Sequence, residues 1–277
     1  MAALTILIPL LLLLVAATKP ANSPAFIDVN FILLSAILLC SLFLCRWDIG
    51  GYALVIILLA AYVTAAFLRR GPAAGAVSLG LIALPWLLLR LRPRRKGLWL
   101  EFPLKDGLFY IAQGGSLRFT NYHGRFARGQ KYALDITQLN PLGMRAKGFA
   151  PGQLDRYRIY GAIVVSPCAG TVIAATGSAP DELPGVRQNQ HTPAGNYILI
   201  QLKVLEIQIL LAHLQPGSLL VKAGDTVTAG QHLAHVGNSG HTTEPHLHIH
   251  AQAISGGAPI PLTFRRRWLV RNSILWH

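Results

Sequence analysis

The 277-residue chain is too apolar for an ordinary soluble protein, because hydrophobic residues make up 52% of it and charged residues only 13%. Its formal net charge of +14 suits an anionic partner, such as an acidic cell-wall polymer or anionic lipid. The sequence has no base-stacking motif and no nucleic-acid-binding fingerprint, so nucleic acid is not an expected partner. Its three cysteines give no disulfide framework.

Apolar runs before residue 92 predict an N-terminal region, residues 1–92, of about four transmembrane helices. Each run is close to the ~20 residues that a helix needs to span hydrocarbon. The runs cover residues 2–18, 26–45, 51–68 and 72–89. The first run could instead be the apolar part of a signal peptide, but no basic segment precedes it. We therefore expect a multi-pass protein of a bacterial inner membrane, in contact with the lipid bilayer.

The basic residues beside these runs do not decide the orientation. Arg69 and Arg70 in the third connection favour a C-terminal domain outside the cytoplasm, because basic flanks prefer the cytoplasmic side. The basic segment 90–96 argues for the opposite orientation by the same rule.

From Gly97 onward, short alternating runs separated by Gly, Pro and Asn predict an antiparallel all-β domain, a sandwich or an open barrel, over residues 97–277. The predicted fold class is thus N-terminal transmembrane α-helices plus an all-β C-terminal domain. The expected strands are Ile159–Val165, Gly170–Ala175, Asn196–Leu202, Glu206–Ala212 and His246–Ala251. The polar stretch Gly177–Ala194 predicts a long loop at the rim of a functional site, with a disordered insert as the equal alternative.

Histidines recur in the last third of the chain at positions that suit chemistry. His246 and His248 alternate on one expected strand, so their side chains point to the same face. His250 continues this alternation, and His213 ends an earlier strand. A lone His-x-His pair is a weak indication of a functional site. Here the pair is accompanied by a further histidine, His213, and by the glycine-containing turn Gly237–Gly240.

The segment from His213 to His248 resembles the lysostaphin-type, LytM-like zinc metalloendopeptidases, metallopeptidase family 23, which have the duplicated hybrid motif fold. The resemblance covers about residues 105–255. Gly161–Ala175 resembles the first hairpin of the family, and Gly195–Ile200 resembles its next strand. It implies a LytM-like all-β core and a Zn²⁺ cofactor.

Carried over residue by residue, the resemblance implies that Asp135 and His248 bind zinc, and that His213 and His246 are catalytic without binding it. The family places another histidine ligand four residues before the aspartate, where this chain has Lys131. Lysine is a poor zinc ligand, because its amine must first lose a proton. His123 is the expected replacement, since His123 and Asn121 match two of three positions of an Asn-His-His segment in some family branches.

The implied function is a zinc-dependent endopeptidase of peptidoglycan peptides, in which a metal-activated water attacks the peptide carbonyl. Its domain would then face the periplasm or the cell exterior. The alternative, favoured by Lys131, is a catalytically degenerate LytM-like module that binds or regulates an envelope partner. Asn121, His191 and Glu244 are the expected substrate rim. The sequence does not predict an oligomeric state.

Overall fold

The computed structural model describes residues 97–277 except 119, 187–190, 203 and 204, together with four isolated helical residues, Thr64, Pro72, Ala76 and Gly80. The described residues from 97 onward belong to the compact unit Arg94–His277. The predicted domain boundaries themselves stay a prediction.

Among the described residues of this unit, the regular secondary structure is mostly short β-strands. The strands are β1 (Leu98–Leu100), β2 (Leu108–Gln113), β3 (Leu134–Leu139), β4 (Ile163–Val165), β5 (Gly170–Thr176), β6 (Asn196–Leu202), β7 (Ile207–Leu214), β8 (Thr226–Val227), β9 (His232–His235), β10 (Leu247–Ala253), β11 (Pro259–Ile260), β12 (Leu262–Phe264), β13 (Arg267–Trp268) and β14 (Ile274–Trp276). The helical elements are α1 (His123–Phe126) and two 3₁₀ helices, Arg128–Gln130 and Leu154–Arg156.

One large sheet positions the functional residues. Its strands follow the order β14-β2-β3-β10-β7-β6-β5-β8, with β11 paired to β10, and their pairings are antiparallel. Two smaller sheets, β1-β12-β13 and β4-β9, complete the unit. The all-β part of the predicted fold class therefore fits the structure.

The large sheet has one face on the hydrophobic core and a second face that carries polar groups. In β10, Leu247 and Ile249 belong to the core, whereas His248 between them does not. In β3, Ile136 belongs to the core and Asp135 precedes it. Because side chains alternate along a strand, the histidine and the aspartate lie together on the face away from the core.

The expected strands agree with the observed ones to within a few residues at their ends. Asn196–Leu202 is β6 as predicted, and the expected strand Gly170–Ala175 extends by one residue as β5. Of the expected strand Ile159–Val165, only Ile163–Val165 is extended, because the residues before it form a turn.

The prediction of N-terminal transmembrane helices is wrong for the structure as described. Its four apolar runs lie outside the described residues, apart from the four isolated positions. Among the described residues, no helix is long and apolar enough to cross a membrane. Helix α1 has four residues and spans about 6 Å at 1.5 Å per residue, against ~30 Å of hydrocarbon. The predicted multi-pass inner-membrane location depended on the same helices, so the structure as described does not support it.

Candidate metal centre

Strands β3 and β10 bring the first two candidate ligands together. The two strands pair antiparallel, with Asp135 directly opposite His248. Directly opposed side chains in an antiparallel pair lie on one face and contact each other. Here Nδ1 of His248 lies 3.0 Å from Oδ1 of Asp135, and both residues are buried.

The third candidate ligand comes from α1, before β3. Nε2 of His123 lies 3.3 Å from Oδ1 of Asp135. The His123 and His248 rings contact each other edge to face, with centroids 4.9 Å apart. His123, Asp135 and His248 thus form one buried cluster whose potential ligand atoms all lie within 4.8 Å of one another.

Asn121 fixes the orientation of the His123 ring. Its Nδ2 donates to the backbone carbonyls of Gly115, Lys131 and Ala133 at 3.0, 3.2 and 2.9 Å. The amide nitrogen is committed to these acceptors, so the amide oxygen faces His123, where it lies 2.8 Å from Nδ1. An acceptor at this position holds a proton on Nδ1 and directs Nε2 toward Asp135.

His213 reaches the same face through a β-bulge. Tyr197 pairs with Ala212 and Asn196 with Leu214, so His213 is the extra residue in β7. Its φ of 64° lies in the left-handed region, which non-glycine residues seldom adopt. Regular alternation from Ala212, which lies opposite His248, would direct the next side chain to the core. The bulge instead turns His213 onto the site face.

His213 and His246 lie side by side next to the metal cluster. Their ring centroids are 4.7 Å apart, and His213 lies 5.8 Å from the ring of His248. Nδ1 of His213 is 2.8 Å from the carbonyl of Ser239, and Nδ1 of His246 is 2.8 Å from the carbonyl of Glu244. Carbonyls only accept, so each ring carries its proton on Nδ1 and keeps Nε2 for the site.

The donors in the cluster fit a zinc ion. Two imidazoles and one carboxylate are a common zinc ligand set, and three protein ligands leave a position open for catalysis. Ligand atoms about 2.0–2.1 Å from a tetrahedral zinc ion lie roughly 3.3 Å from each other. The observed separations from Asp135 Oδ1, 3.0 Å to His248 and 3.3 Å to His123, match this spacing.

Burial and charge shift the pKa values of the cluster in opposite directions. Burial alone would raise the pKa of Asp135, but the charges of His123 and His246 and hydrogen bonds from His123 and His248 hold it well below its usual value. Burial alone would lower the pKa of His123, and the charge and hydrogen bond of Asp135 outweigh burial and raise it. Both shifts favour an ion pair between the Asp135 carboxylate and a protonated His123 imidazole.

The pKa values of His213 and His248 are lowered, which favours their neutral imidazoles. Burial, and next the charges of His246 and His248, lower the pKa of His213 well below its usual value. Burial is also the largest cause of the lowered pKa of His248. Neutral imidazoles can bind a metal or accept a proton.

Lys131 lies apart from the cluster. The residue is exposed, and its Nζ lies 5.4 Å from the centroid of the Tyr132 ring. Only its backbone carbonyl is tied to the site, as an acceptor for Asn121. His123, and not Lys131, therefore has its side chain beside Asp135, and its role as the replacement ligand stays a prediction.

A buried ion pair lies behind His246. Nε of Arg145 donates to Oε2 of Glu244 at 2.7 Å, and both side chains are buried. The Arg145 guanidinium also lies over the Tyr157 ring, 5.8 Å from its centroid. Because the Glu244 carbonyl accepts from His246, this pair supports the turn that holds the histidine.

The long loop Gly177–Ala194 packs beside the turn that orients His213. Asp181 forms a β-bridge with Ser239, and the amide of Gly185 donates to the carbonyl of Thr243 at 3.0 Å. His191 is exposed in this loop, and its role at a substrate rim stays a prediction.

Sequence reasoning did not find Arg145, Thr242 or Ser239. Arg145 is far from Glu244 along the chain and belongs to no motif that would mark it. The Thr242 hydroxyl lies 3.1 Å from Nδ1 of His246 and 2.8 Å from the Glu244 carbonyl. A small hydroxyl residue between Gly240 and His246 was the one available signal, and such residues are common in turns.

Residues 155–260 match the model of Peptidase family M23. This segment, which is less than half of the chain, is similar to an M23 peptidase domain. The match includes His213, His246 and His248, whereas His123 and Asp135 precede it. The family match therefore includes one member of the His123, Asp135 and His248 cluster, and the other two lie before it.

Solved structures resemble the chain at low identity. A zinc-containing peptidase from Vibrio cholerae is 23% identical, with a TM-score of 0.36, over 59% of this chain and 39% of that protein. Lysostaphin is 21% identical, with a TM-score of 0.28, over 44% and 36%. The M23 metalloprotease pseudoalterin is 14% identical, with a TM-score of 0.37, over 65% and 99%.

The chain spans 39% of the length of the Vibrio cholerae peptidase and 36% of that of lysostaphin. The activities, substrates and partners of those whole proteins are therefore not transferred to it by these similarities. No curated protein matches the chain.

Proposed function

We propose that this chain is a zinc-dependent endopeptidase that cleaves peptidoglycan peptides. The observation that carries the proposal is the buried cluster of His123, Asp135 and His248, whose donor atoms lie within 4.8 Å of one another, with both histidines 3.0–3.3 Å from Oδ1 of Asp135. Two further histidines lie against this cluster, in a domain of a metallopeptidase family.

His123, Asp135 and His248 would hold the zinc ion through Nε2, a carboxylate oxygen and Nδ1. Bound zinc supplies a Lewis acid that polarises a peptide carbonyl and lowers the pKa of a water to ~7. The protein side chains hold and orient the ligands. Asn121 orients His123, and the β3–β10 ladder holds Asp135 against His248.

His213 and His246 would move protons during hydrolysis. His213 is neutral because burial keeps its pKa well below the usual value, so Nε2 can accept a proton from an attacking water. The same nitrogen can then return the proton to the leaving amine. His246 presents its Nε2 3.5 Å from Asp135 and next to His213, on the side where a substrate carbonyl would lie against the cluster.

The proposal that peptidoglycan peptides are the substrate is supported by the family resemblance and by the net charge of the chain. The net charge of +14 suits an anionic cell wall, because a basic protein concentrates near negatively charged polymers.

The test is digestion of purified peptidoglycan by the zinc-loaded full chain, with released peptides identified by mass spectrometry. We expect new amino termini with the wild type and none with Asp135→Asn, which removes a charged zinc ligand. His246→Ala keeps the three donors and should release peptides about 10²–10⁴-fold more slowly. His241→Ala, at an exposed histidine, is the matched control and should behave as the wild type.

Failure of the zinc-loaded wild type to release any peptide would contradict the proposal. That result would favour the alternative, a non-catalytic module that binds or regulates an envelope partner. Lys131 favours the alternative, because it occupies the position at which the family pattern has a histidine zinc ligand.

A further inference from the structure

His250 lies directly behind the candidate ligand His248. The two residues alternate on β10, so they share the face away from the core. Nδ1 of His250 lies 3.0 Å from Nε2 of His248, and the two rings meet edge to face with centroids 5.2 Å apart. His250 is buried, with 6% of its surface exposed.

The position of His248 determines where its proton must lie. Its Nδ1 faces Asp135 at 3.0 Å, on the side of the metal cluster. A nitrogen that binds a metal must offer its lone pair, so the proton of a metal-binding His248 is on Nε2. A buried N–H needs an acceptor, and Nδ1 of His250 is in place to accept it.

The other imidazoles at the site are held differently. Nδ1 of His123, His213 and His246 faces an oxygen that accepts, from Asn121, Ser239 and Glu244 respectively. His248 is reversed, since its Nδ1 is the inward nitrogen and its outward partner is an imidazole. An imidazole nitrogen accepts only when its proton is on the other ring nitrogen, so His250 must be the Nε2–H tautomer.

We infer that His250 is a positioning residue for zinc, which accepts the Nε2–H of His248 and thereby fixes the tautomer and ring orientation of that ligand. The inference rests on the proposed function only in that it requires zinc to bind. Partners of this kind hold metal-binding histidines in place and typically contribute 10–100-fold to metal affinity. His250 contacts His248 at the ring nitrogen opposite the one that faces Asp135, so its effect is on binding of the metal.

The experiment measures the zinc dissociation constant of the full chain by competition with a chromophoric chelator. His250→Leu fills the space without an acceptor, and we expect the Kd for zinc to rise about 10–100-fold. His250→Asn places an amide oxygen near the position of Nδ1, so it should recover most of that loss. A merely structural role for His250 would not distinguish the two variants in this way.

An unchanged Kd in His250→Leu would overturn the inference, and so would an equal loss in both variants. A wild type that binds no zinc would instead overturn the proposed function, which keeps the two failures distinguishable. If His250→Leu does not fold, nitrogen NMR of the labelled, zinc-loaded wild type decides. We expect the proton of both His248 and His250 on Nε2, and a proton on Nδ1 of His250 overturns the inference.

Discussion

The side chains of His123 and Asp135 meet inside the site, with Nε2 of the histidine 3.3 Å from Oδ1 of the aspartate. The histidine belongs to α1, whereas the family pattern places this ligand four residues before the aspartate. Lys131 stands at that position, and its ammonium lies over the Tyr132 ring. The site thus keeps two imidazoles and one carboxylate, with one imidazole supplied from a different segment.

This arrangement predicts opposite results for two substitutions. His123→Ala removes a donor from a three-ligand set, so zinc content should fall from about one per chain to near zero. Lys131→Ala removes a side chain outside the cluster and should leave zinc content at the wild-type value. Metal analysis of both full-length variants after gel filtration is the measurement. Normal zinc in His123→Ala, or loss of zinc in Lys131→Ala, would contradict the assignment of the ligand.

The bulge at His213 predicts an unusual preference for glycine. At φ 64° a residue with a side chain is destabilised by about 1 kcal/mol or more relative to glycine. The free energy of unfolding of His213→Gly should therefore be about 1 kcal/mol higher than that of His213→Ala. His248, at a regular strand position, is the matched control, where the alanine variant should be about 0.5–1 kcal/mol more stable than the glycine variant. Urea titrations of the four variants provide the comparison. Equal stability of the two His213 variants would argue against the bulge.

The buried pair of Arg145 and Glu244 predicts a large loss of stability when one partner is removed. Arg145→Met leaves a buried carboxylate without its cation, which costs about 3–5 kcal/mol in the free energy of unfolding. The substitution Glu244→Gln should lower the free energy of unfolding much less in the Arg145→Met variant than in the wild type, because the two side chains are coupled. Arg156→Met, at an exposed arginine, is the control and should lie within about 0.5 kcal/mol of wild type. Additive losses in denaturant titrations would refute the coupling.

The pKa shifts predict that the metal-free chain loses stability in mild acid. His213, His248 and His250 have pKa values lowered chiefly by burial, that of His250 to about 3, so the unfolded chain binds more protons below pH ~6.5. His123 opposes them, since its pKa is raised and its contribution is fully present below pH ~6.5. Asp135, with a lowered pKa, contributes stability that is lost only in stronger acid, below pH ~3.9.

Because three groups lose stability and one gains it, we expect a net fall in the free energy of unfolding between pH 7 and pH 5. Urea titrations with a chelator present measure it. A metal-free chain that is equally stable or more stable at pH 5 would show that these histidines are not buried as described.

Local patterns in the sequence predicted the features that depend on strand alternation. His246, His248 and His250 follow the period of a strand, and the structure places His248 and His250 on one face of β10, with His246 directly before the strand. Asp135 and His123 were expected from the family resemblance, and the pairing of β3 with β10 explains why the aspartate lies opposite His248.

Features that depend on backbone irregularity or on distant contacts were not predictable. A regular strand ending at Ala212 gives no sign that a bulge turns the next residue, His213, onto the site face. The partnership of Arg145 with Glu244 depends on how two loops fold over one face of the sheet. Hydropathy of the N-terminal segment predicted membrane-spanning helices, and the described structure has no helix that could span a membrane.

The most direct test of the metal site is a crystal structure of the zinc-loaded full chain with anomalous diffraction measured at the zinc edge. We predict a single strong peak about 2.0–2.2 Å from Nε2 of His123, a carboxylate oxygen of Asp135 and Nδ1 of His248. A peak that lacks His123 among its neighbours, or no peak at this cluster, would contradict the account.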